Sequence, residues 1–123
     1  MFSIKSTLSS RELIFNNLNN EYFRVTFGGD VNASLNVYTY TDGNGISLLF
    51  SELASFEKPW AGEKRWESIE RDFSISVSCS ALGKVLIKAR ITDPSEEALT
   101  MEISLVTEFS QLIQIAKDAK ALL

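Results

Sequence analysis

The sequence contains no histidine and only one cysteine, Cys79. Without histidine the chain lacks the commonest protein ligand for transition metals and the only side chain whose ordinary pKa lies near neutrality. A single cysteine cannot form a disulfide within the chain or a thiolate cage around zinc, and this usage is typical of a reducing compartment. We therefore predict no metal site, no cofactor and no catalytic residues, and we do not expect an enzyme.

Long apolar runs are also absent, since none exceeds Leu48-Leu49-Phe50. The first ten residues lack the apolar segment of a signal peptide, and no segment is long enough to cross a bilayer. We therefore expect a cytoplasmic protein with no membrane partner. Sixteen acidic residues against twelve basic ones give a formal net charge of -4, which disfavours contact with the phosphate backbone of nucleic acid.

Most of the chain alternates between apolar and polar residues, which predicts strands. Between positions 73 and 80, apolar residues alternate with four serines, and similar alternation follows over 85–92 and 99–105. Turns that contain Gly83 and Pro94 separate these segments, and a further strand is predicted over 65–69. In the N-terminal half, strands are predicted over 2–5, 12–16, 22–27 and 31–41. The last of these places Tyr38 and Tyr40 on an otherwise polar face.

Helical spacing of apolar residues appears in two segments. The first covers 46–57, with Asp42 or Asn44 as its expected N-cap. The second begins at Phe109, with Ile113 on its apolar stripe and Thr107 or Ser110 as its expected cap.

These elements predict a single α+β domain over residues 1–123. We expect an antiparallel meander sheet of about seven to eight strands, with one helix between the N- and C-terminal strand groups and one C-terminal helix. The strands could form one large layer or a sheet that curls on itself.

Candidate chemical groups are few, and each has a plainer interpretation. The carboxylates that cluster along the chain could perform acid–base chemistry, although such density is usual on a solvated face. They are Glu63, Glu67, Glu70 and Asp72. The row of serines could hold an anion together with Lys88 and Arg90, or it could be an ordinary wet sheet face. Cys79 has no histidine to activate it and is interpreted as a structural residue.

Two tryptophans, Trp60 and Trp66, lie close together between the first helix and the next strand. They could both enter the core, with Gly62 permitting the turn between them. Alternatively, one could face a partner, because tryptophan and tyrosine dominate the hot spots of protein interfaces.

This region also resembles a known family. It carries the pattern W-x-G-x-x-x-W-E-S, followed by an acidic turn, two alternating strands joined by a turn with glycine, and a C-terminal helix. The pattern residues are Trp60, Gly62, Trp66, Glu67 and Ser68. Over roughly residues 45–120 the chain is similar to an uncharacterised family of small bacterial proteins associated with WapI-type toxin immunity proteins. The resemblance implies an immunity role and supplies no catalytic residue or ligand.

Taken together, these observations favour a non-enzymatic protein-binding domain, most concretely an immunity protein that masks a basic toxin. An acidic surface accelerates encounter with a basic partner. The predicted partner-binding residues are Trp60, Trp66, Tyr38, Tyr40, Glu63, Glu67 and Glu70. The alternative is a small-molecule-binding domain with an apolar cavity between sheet and helix. In either case an exposed edge strand could pair with its copy and form a homodimer.

Overall fold

The N-terminal half of the chain forms a four-stranded antiparallel sheet, called sheet A here, in a computed structural model that describes residues 1–39, 45–93 and 95–122. Strands that follow one another along the chain are neighbours in the sheet, so the sheet is a simple meander. Its strands are β1 (Phe2–Lys5), β2 (Glu12–Asn17), β3 (Tyr22–Gly28) and β4 (Ala33–Tyr38).

The C-terminal half forms a second four-stranded antiparallel meander, called sheet B here. Its strands are β5 (Lys64–Glu67), β6 (Phe73–Cys79), β7 (Lys84–Asp93) and β8 (Leu99–Glu108). Helix α1 (Gly45–Ala54) lies between the two sheets in the chain. A short 3₁₀ helix (Phe109–Gln111) leads into the C-terminal helix α2 (Leu112–Leu122), which packs on α1.

The structure confirms the predicted α+β class, the antiparallel meander order, the eight strands and the placement of both helices. The eight strands form two sheets of four, since the chain leaves sheet A for α1 after β4 and begins a new sheet at β5. The period-two pattern specifies which face of each strand is buried, but it does not specify which strands share a sheet.

The inward faces of the two sheets meet in an aromatic core. Phe15 of β2 and Phe23 of β3 each lie edge-on to Phe73 of β6, with ring centroids 6.2 Å apart in both pairs. All three rings are buried. Edge-to-face packing at this separation is favourable beyond the burial of apolar area alone, so this cluster fixes the two sheets face to face.

One contact at each end shows how the ends of the two sheets meet. At one end, the Thr7 N–H donates to the Val106 carbonyl at 2.8 Å, so the β1–β2 turn meets the C-terminal part of β8. At the other end, Phe23 at the start of β3 packs on Phe73 at the start of β6 with ring centroids 6.2 Å apart, so the β2–β3 turn and the β5–β6 turn lie at the same end. The molecule therefore has two distinct ends, each formed by turns from both sheets.

The helices differ in detail from the expectation. Helix α1 ends at Ala54 rather than at residue 57, and its expected caps at 42 and 44 lie outside the described residues. Thr107 is a buried residue of β8 rather than a helix cap. Ile113, expected on the apolar stripe, is exposed, while Ile115 is buried. The intervening 3₁₀ turn has fewer residues per turn than an α-helix and so shifts the stripe.

Candidate functional site

One end of the molecule, called the acidic end here, is formed by the turns at 18–21, 68–72 and 95–98 together with the strand residues that flank them. Its carboxylates come from both sheets and are accompanied in these turns by one cation, Arg71. The acidic residues are Glu21, Glu67, Glu70, Asp72, Asp93, Glu96 and Glu97. Residues far apart in sequence therefore produce a local concentration of negative charge that no single segment of the chain carries.

Exposed apolar side chains lie among these carboxylates. Leu18 in the β2–β3 turn is 46% exposed and Ile69 in the β5–β6 turn is 56% exposed. On the outer face of sheet A, Tyr22 and Tyr38 pair directly across β3 and β4, with ring centroids 5.2 Å apart. Apolar anchors within a charged rim are the usual anatomy of a protein interface.

Ser68 shapes the turn that presents Ile69 and Glu70. Its hydroxyl donates to Asp72 Oδ1 at 2.7 Å and accepts from the Phe73 N–H at 3.1 Å. Its backbone N–H donates to the Phe73 carbonyl at 2.9 Å. These contacts bury Ser68 and leave Ile69 and Glu70 exposed. The predicted strand over 65–69 is therefore two residues too long, because β5 ends at Glu67 and the tight turn begins there.

Trp66 supports the acidic end from inside. Its ring lies 6.1 Å from Phe23 and 6.3 Å from Phe73, and it is half-buried. Gly45 at the start of α1 packs so closely on the Trp66 indole that a Cβ there would overlap the ring. The neighbouring Glu67 faces outward and pairs with Arg65 at 2.7 Å. Trp66 thus positions the end of β5 and contributes little surface of its own.

Trp60 lies away from the acidic end, beside the opposite set of turns. It is 9% exposed, stacks on Phe56 at 5.6 Å and contacts Phe109 at 6.3 Å. Within the described part of the chain its Nε1 has no hydrogen-bond partner. Of the two interpretations offered for Trp60, the packing favours the core residue. The molecule therefore separates Trp60 from the predicted site residues Tyr38, Glu67 and Glu70.

One further predicted residue, Glu63, lies apart from this group. Glu63 is exposed and lines a shallow hollow on the outer face of sheet B. Tyr40 lies outside the described residues. In contrast, sequence reasoning missed Leu18, Tyr22 and Ile69, although an isoleucine inside a short polar turn is a signal that a sequence can show.

The opposite end, called the groove end here, is formed by the turns at 6–11, 29–32 and 80–83. It contains an open groove of about 610 Å³ between the turns at 6–11 and 80–83, the end of β8 and the 3₁₀ helix. The groove lining includes Leu8, Leu82 and Phe109, and Leu82 is 98% exposed. A second cavity of about 510 Å³ lies between β1, β8 and α2. Both fall within the size range of small-molecule sites.

The described residues contain no cluster of three or more side chains that could hold a metal ion. Burial raises the pKa of the Cys79 thiol above its ordinary value, which keeps it protonated near neutrality and lowers its nucleophilicity. In the same residues, no helix is long and apolar enough to cross a membrane.

Comparison with known proteins places this fold in a family. A comparison with curated proteins gives no match. Residues 5–123, almost the whole chain, match DUF6228, which is described as a family of unknown function. The match begins inside β1 and includes both sheets and both helices. The chain therefore belongs to the DUF6228 family.

Proposed function

We propose that this protein is a non-enzymatic protein-binding domain that binds a basic protein partner through its acidic end. The observation that carries the proposal is the presence of exposed Leu18, Tyr22 and Ile69 among carboxylates contributed by three turns from both sheets. An apolar anchor supplies binding free energy, and the surrounding charge selects partners of opposite sign.

The two kinds of residue have different physical roles in this proposal. Burying the half of the Leu18 or Ile69 side chain that is still exposed removes apolar area from water and is worth about 1 kcal/mol, roughly half the value for a fully exposed side chain. The carboxylates contribute chiefly to the rate of encounter and to the exclusion of acidic competitors. The Tyr22–Tyr38 pair adds rigid aromatic surface that loses little conformational entropy on binding.

The more specific form of the proposal is an immunity protein that masks a basic toxin in the cytoplasm. Its support is the resemblance of the W-x-G-x-x-x-W-E-S region to immunity-type proteins, together with the acidic end. Masking needs no chemistry on the toxin, only a complementary surface, so it suits a chain with no histidine. Expression of the protein should restore the growth of cells that express the cognate toxin.

The test is a capture experiment from the native host with two matched variants. Ile69→Ser combined with Glu70→Lys alters the acidic end, while Leu82→Ser removes an even more exposed apolar side chain from the groove end. We expect the wild type and Leu82→Ser to capture the same basic protein, identified by mass spectrometry, and the acidic-end variant to lose it. Equal capture by all three proteins, or loss only in Leu82→Ser, would overturn the proposal.

The groove end supports a second candidate function, the binding of a small molecule. Its groove of about 610 Å³ mixes apolar residues with Thr7, Lys84 and Glu108, which matches the usual composition of a ligand site. Mass spectrometry of the protein purified under native conditions tests this candidate. A co-purified compound that is lost in Leu82→Arg and retained in the acidic-end variant would favour it over partner binding.

A further inference from the structure

The outer face of sheet B contains a polar hollow of about 200 Å³. It exists because the outward residues of β6 are serines, which are short, whereas the strands on either side present long side chains. In the sheet register, Ser76 lies between Arg65 and Lys88, and Ser74 lies between Glu67 and Arg90. Cross-strand neighbours of this kind have Cβ atoms about 5 Å apart, so cations flank Ser76 on both sides and Ser74 on the β7 side.

Two of these cations make no close ion pair in the described part of the chain, although Glu102 lies opposite Arg90 in the register of β7 and β8. Arg65 pairs with Glu67 at 2.7 Å, but across the described residues no carboxylate lies within ion-pair distance of Lys88 or Arg90. In the same part of the chain, the Ser74 and Ser76 hydroxyls make no hydrogen bond to protein. The hollow therefore presents two adjacent positive charges and two hydroxyl donors that remain available.

Charged residues of both signs line the hollow. The cations are Arg65, Lys88 and Arg90 and the carboxylates are Glu63 and Glu102, so with Arg65 paired to Glu67 the lining is close to neutral in a chain of net charge -4. The volume lies below the range of about 300–1,000 Å³ that is usual for drug-sized ligands. It suits a single anionic group better than a whole cofactor.

We propose that this hollow binds a phosphate group, with Lys88 and Arg90 as the charged ligands and the Ser74 and Ser76 hydroxyls as further donors. Arginine and lysine are the usual partners of phosphate oxygens, and hydrogen bonds to an ionised acceptor are stronger than those between neutral groups. The four side chains lie on adjacent strands of one sheet, so the backbone already places them around the same hollow. This site is independent of the partner-binding function proposed above.

The test is a two-dimensional NMR titration of the protein with inorganic phosphate, compared with chloride at matched ionic strength. We expect saturable shifts of the amide signals of β6 and β7 around 74–76 and 88–90, with phosphate and not with chloride. A parallel titration with phosphoserine distinguishes the source of the phosphate. If phosphoserine binds at the same residues more tightly than inorganic phosphate does, the ligand class is a phosphomonoester. If phosphoserine binds equally or more weakly, the ligand is free phosphate.

Charge variants decide whether these residues are the ligands. Lys88→Gln combined with Arg90→Gln should weaken phosphate binding by at least about tenfold, because it removes both unpaired cations. Lys117→Gln combined with Lys120→Gln makes the same charge change on α2 and should leave the affinity unchanged. Glu102→Gln removes a lining carboxylate and should raise the affinity. The proposal would be overturned if chloride caused the same amide shifts as phosphate, or if both double variants weakened phosphate binding equally. The same spectra show whether each variant is folded.

Discussion

The acidic end and the groove end are built from the same kinds of turns and strand ends, but they combine charge and shape differently. At the acidic end, carboxylates surround separate exposed apolar side chains such as Leu18 and Ile69. At the groove end, the exposed Leu8 and Leu82 border an open groove, and Arg11 pairs with Asp30 at 3.2 Å. Exposed apolar side chains among like charges favour a macromolecular partner, whereas a concave groove favours a smaller ligand.

Each end also depends on one tryptophan, and the two residues differ in how they are held. Trp60 at the groove end is buried in an aromatic stack. Trp66 at the acidic end is half-buried and faces a glycine that leaves no room for a larger residue. Removal of Trp60 should therefore damage the whole fold, while crowding Trp66 should alter one end.

The largest expected effect is that of Trp60→Ala. Truncation of a buried tryptophan leaves a cavity and costs about 3–5 kcal/mol of unfolding free energy, measured by urea denaturation. Leu82→Ala at the same end changes a fully exposed side chain and should cost less than about 0.5 kcal/mol. If both variants lose similar stability, the burial of Trp60 does not stabilise the groove end. Because Trp60→Ala destabilises the fold, loss of a captured partner in this variant could result from unfolding rather than from removal of an interface residue.

The next effect is that of Gly45→Ala, which introduces a Cβ against the Trp66 indole. In a helix without this contact, alanine is favoured over glycine by about 1 kcal/mol. Here the overlap should reverse the sign and cost about 1–3 kcal/mol, measured by thermal denaturation. The NMR signal of the Trp66 indole N–H should move more than that of Trp60. A more stable protein would contradict the close packing at the acidic end.

Gly62→Ala is the control for that prediction. Gly62 has φ +80° with open space where a Cβ would lie, so the expected cost of about 1–2 kcal/mol comes from backbone conformation alone. It should leave the Trp66 indole signal unchanged.

Glu96→Lys combined with Glu97→Lys should change the unfolding free energy only slightly and the rate of partner binding more strongly. Both residues are exposed, so the unfolding free energy should change by less than about 0.5 kcal/mol. The association rate with a basic partner should fall about tenfold at low salt, and this difference should disappear at high salt. Stopped-flow measurements of the association rate at low and at high salt check this expectation. Glu57→Lys combined with Glu108→Lys, on the groove side, makes the same charge change and should have the weaker effect.

The period-two pattern was sufficient to predict most of the fold. The inward residues of β6, for example, follow directly from the alternation of apolar residues with serines. The acidic end was only partly predictable. Glu67 and Glu70 are three residues apart in sequence, but Glu21 and Glu97 join them only because Phe23 packs on Phe73 and Thr92 bonds to Asp72. The hollow on sheet B likewise depends on the β5–β6–β7 register, which periodicity does not specify.

The smallest expected effect concerns Cys79, which ends β6 beside the groove end. Burial raises the pKa of its thiol, so the folded protein should react more slowly with iodoacetamide than a free thiol does at the same pH. The folded state favours the protonated thiol. The unfolding free energy is therefore highest below the pKa that Cys79 has in the unfolded chain, and it falls as the pH rises through the pKa that Cys79 has in the folded protein. The alkylation rate should therefore keep rising above pH 9 in native buffer, whereas in urea it should level off at lower pH. Identical pH profiles in the two states would show that the groove end leaves Cys79 as open to water as the unfolded chain does.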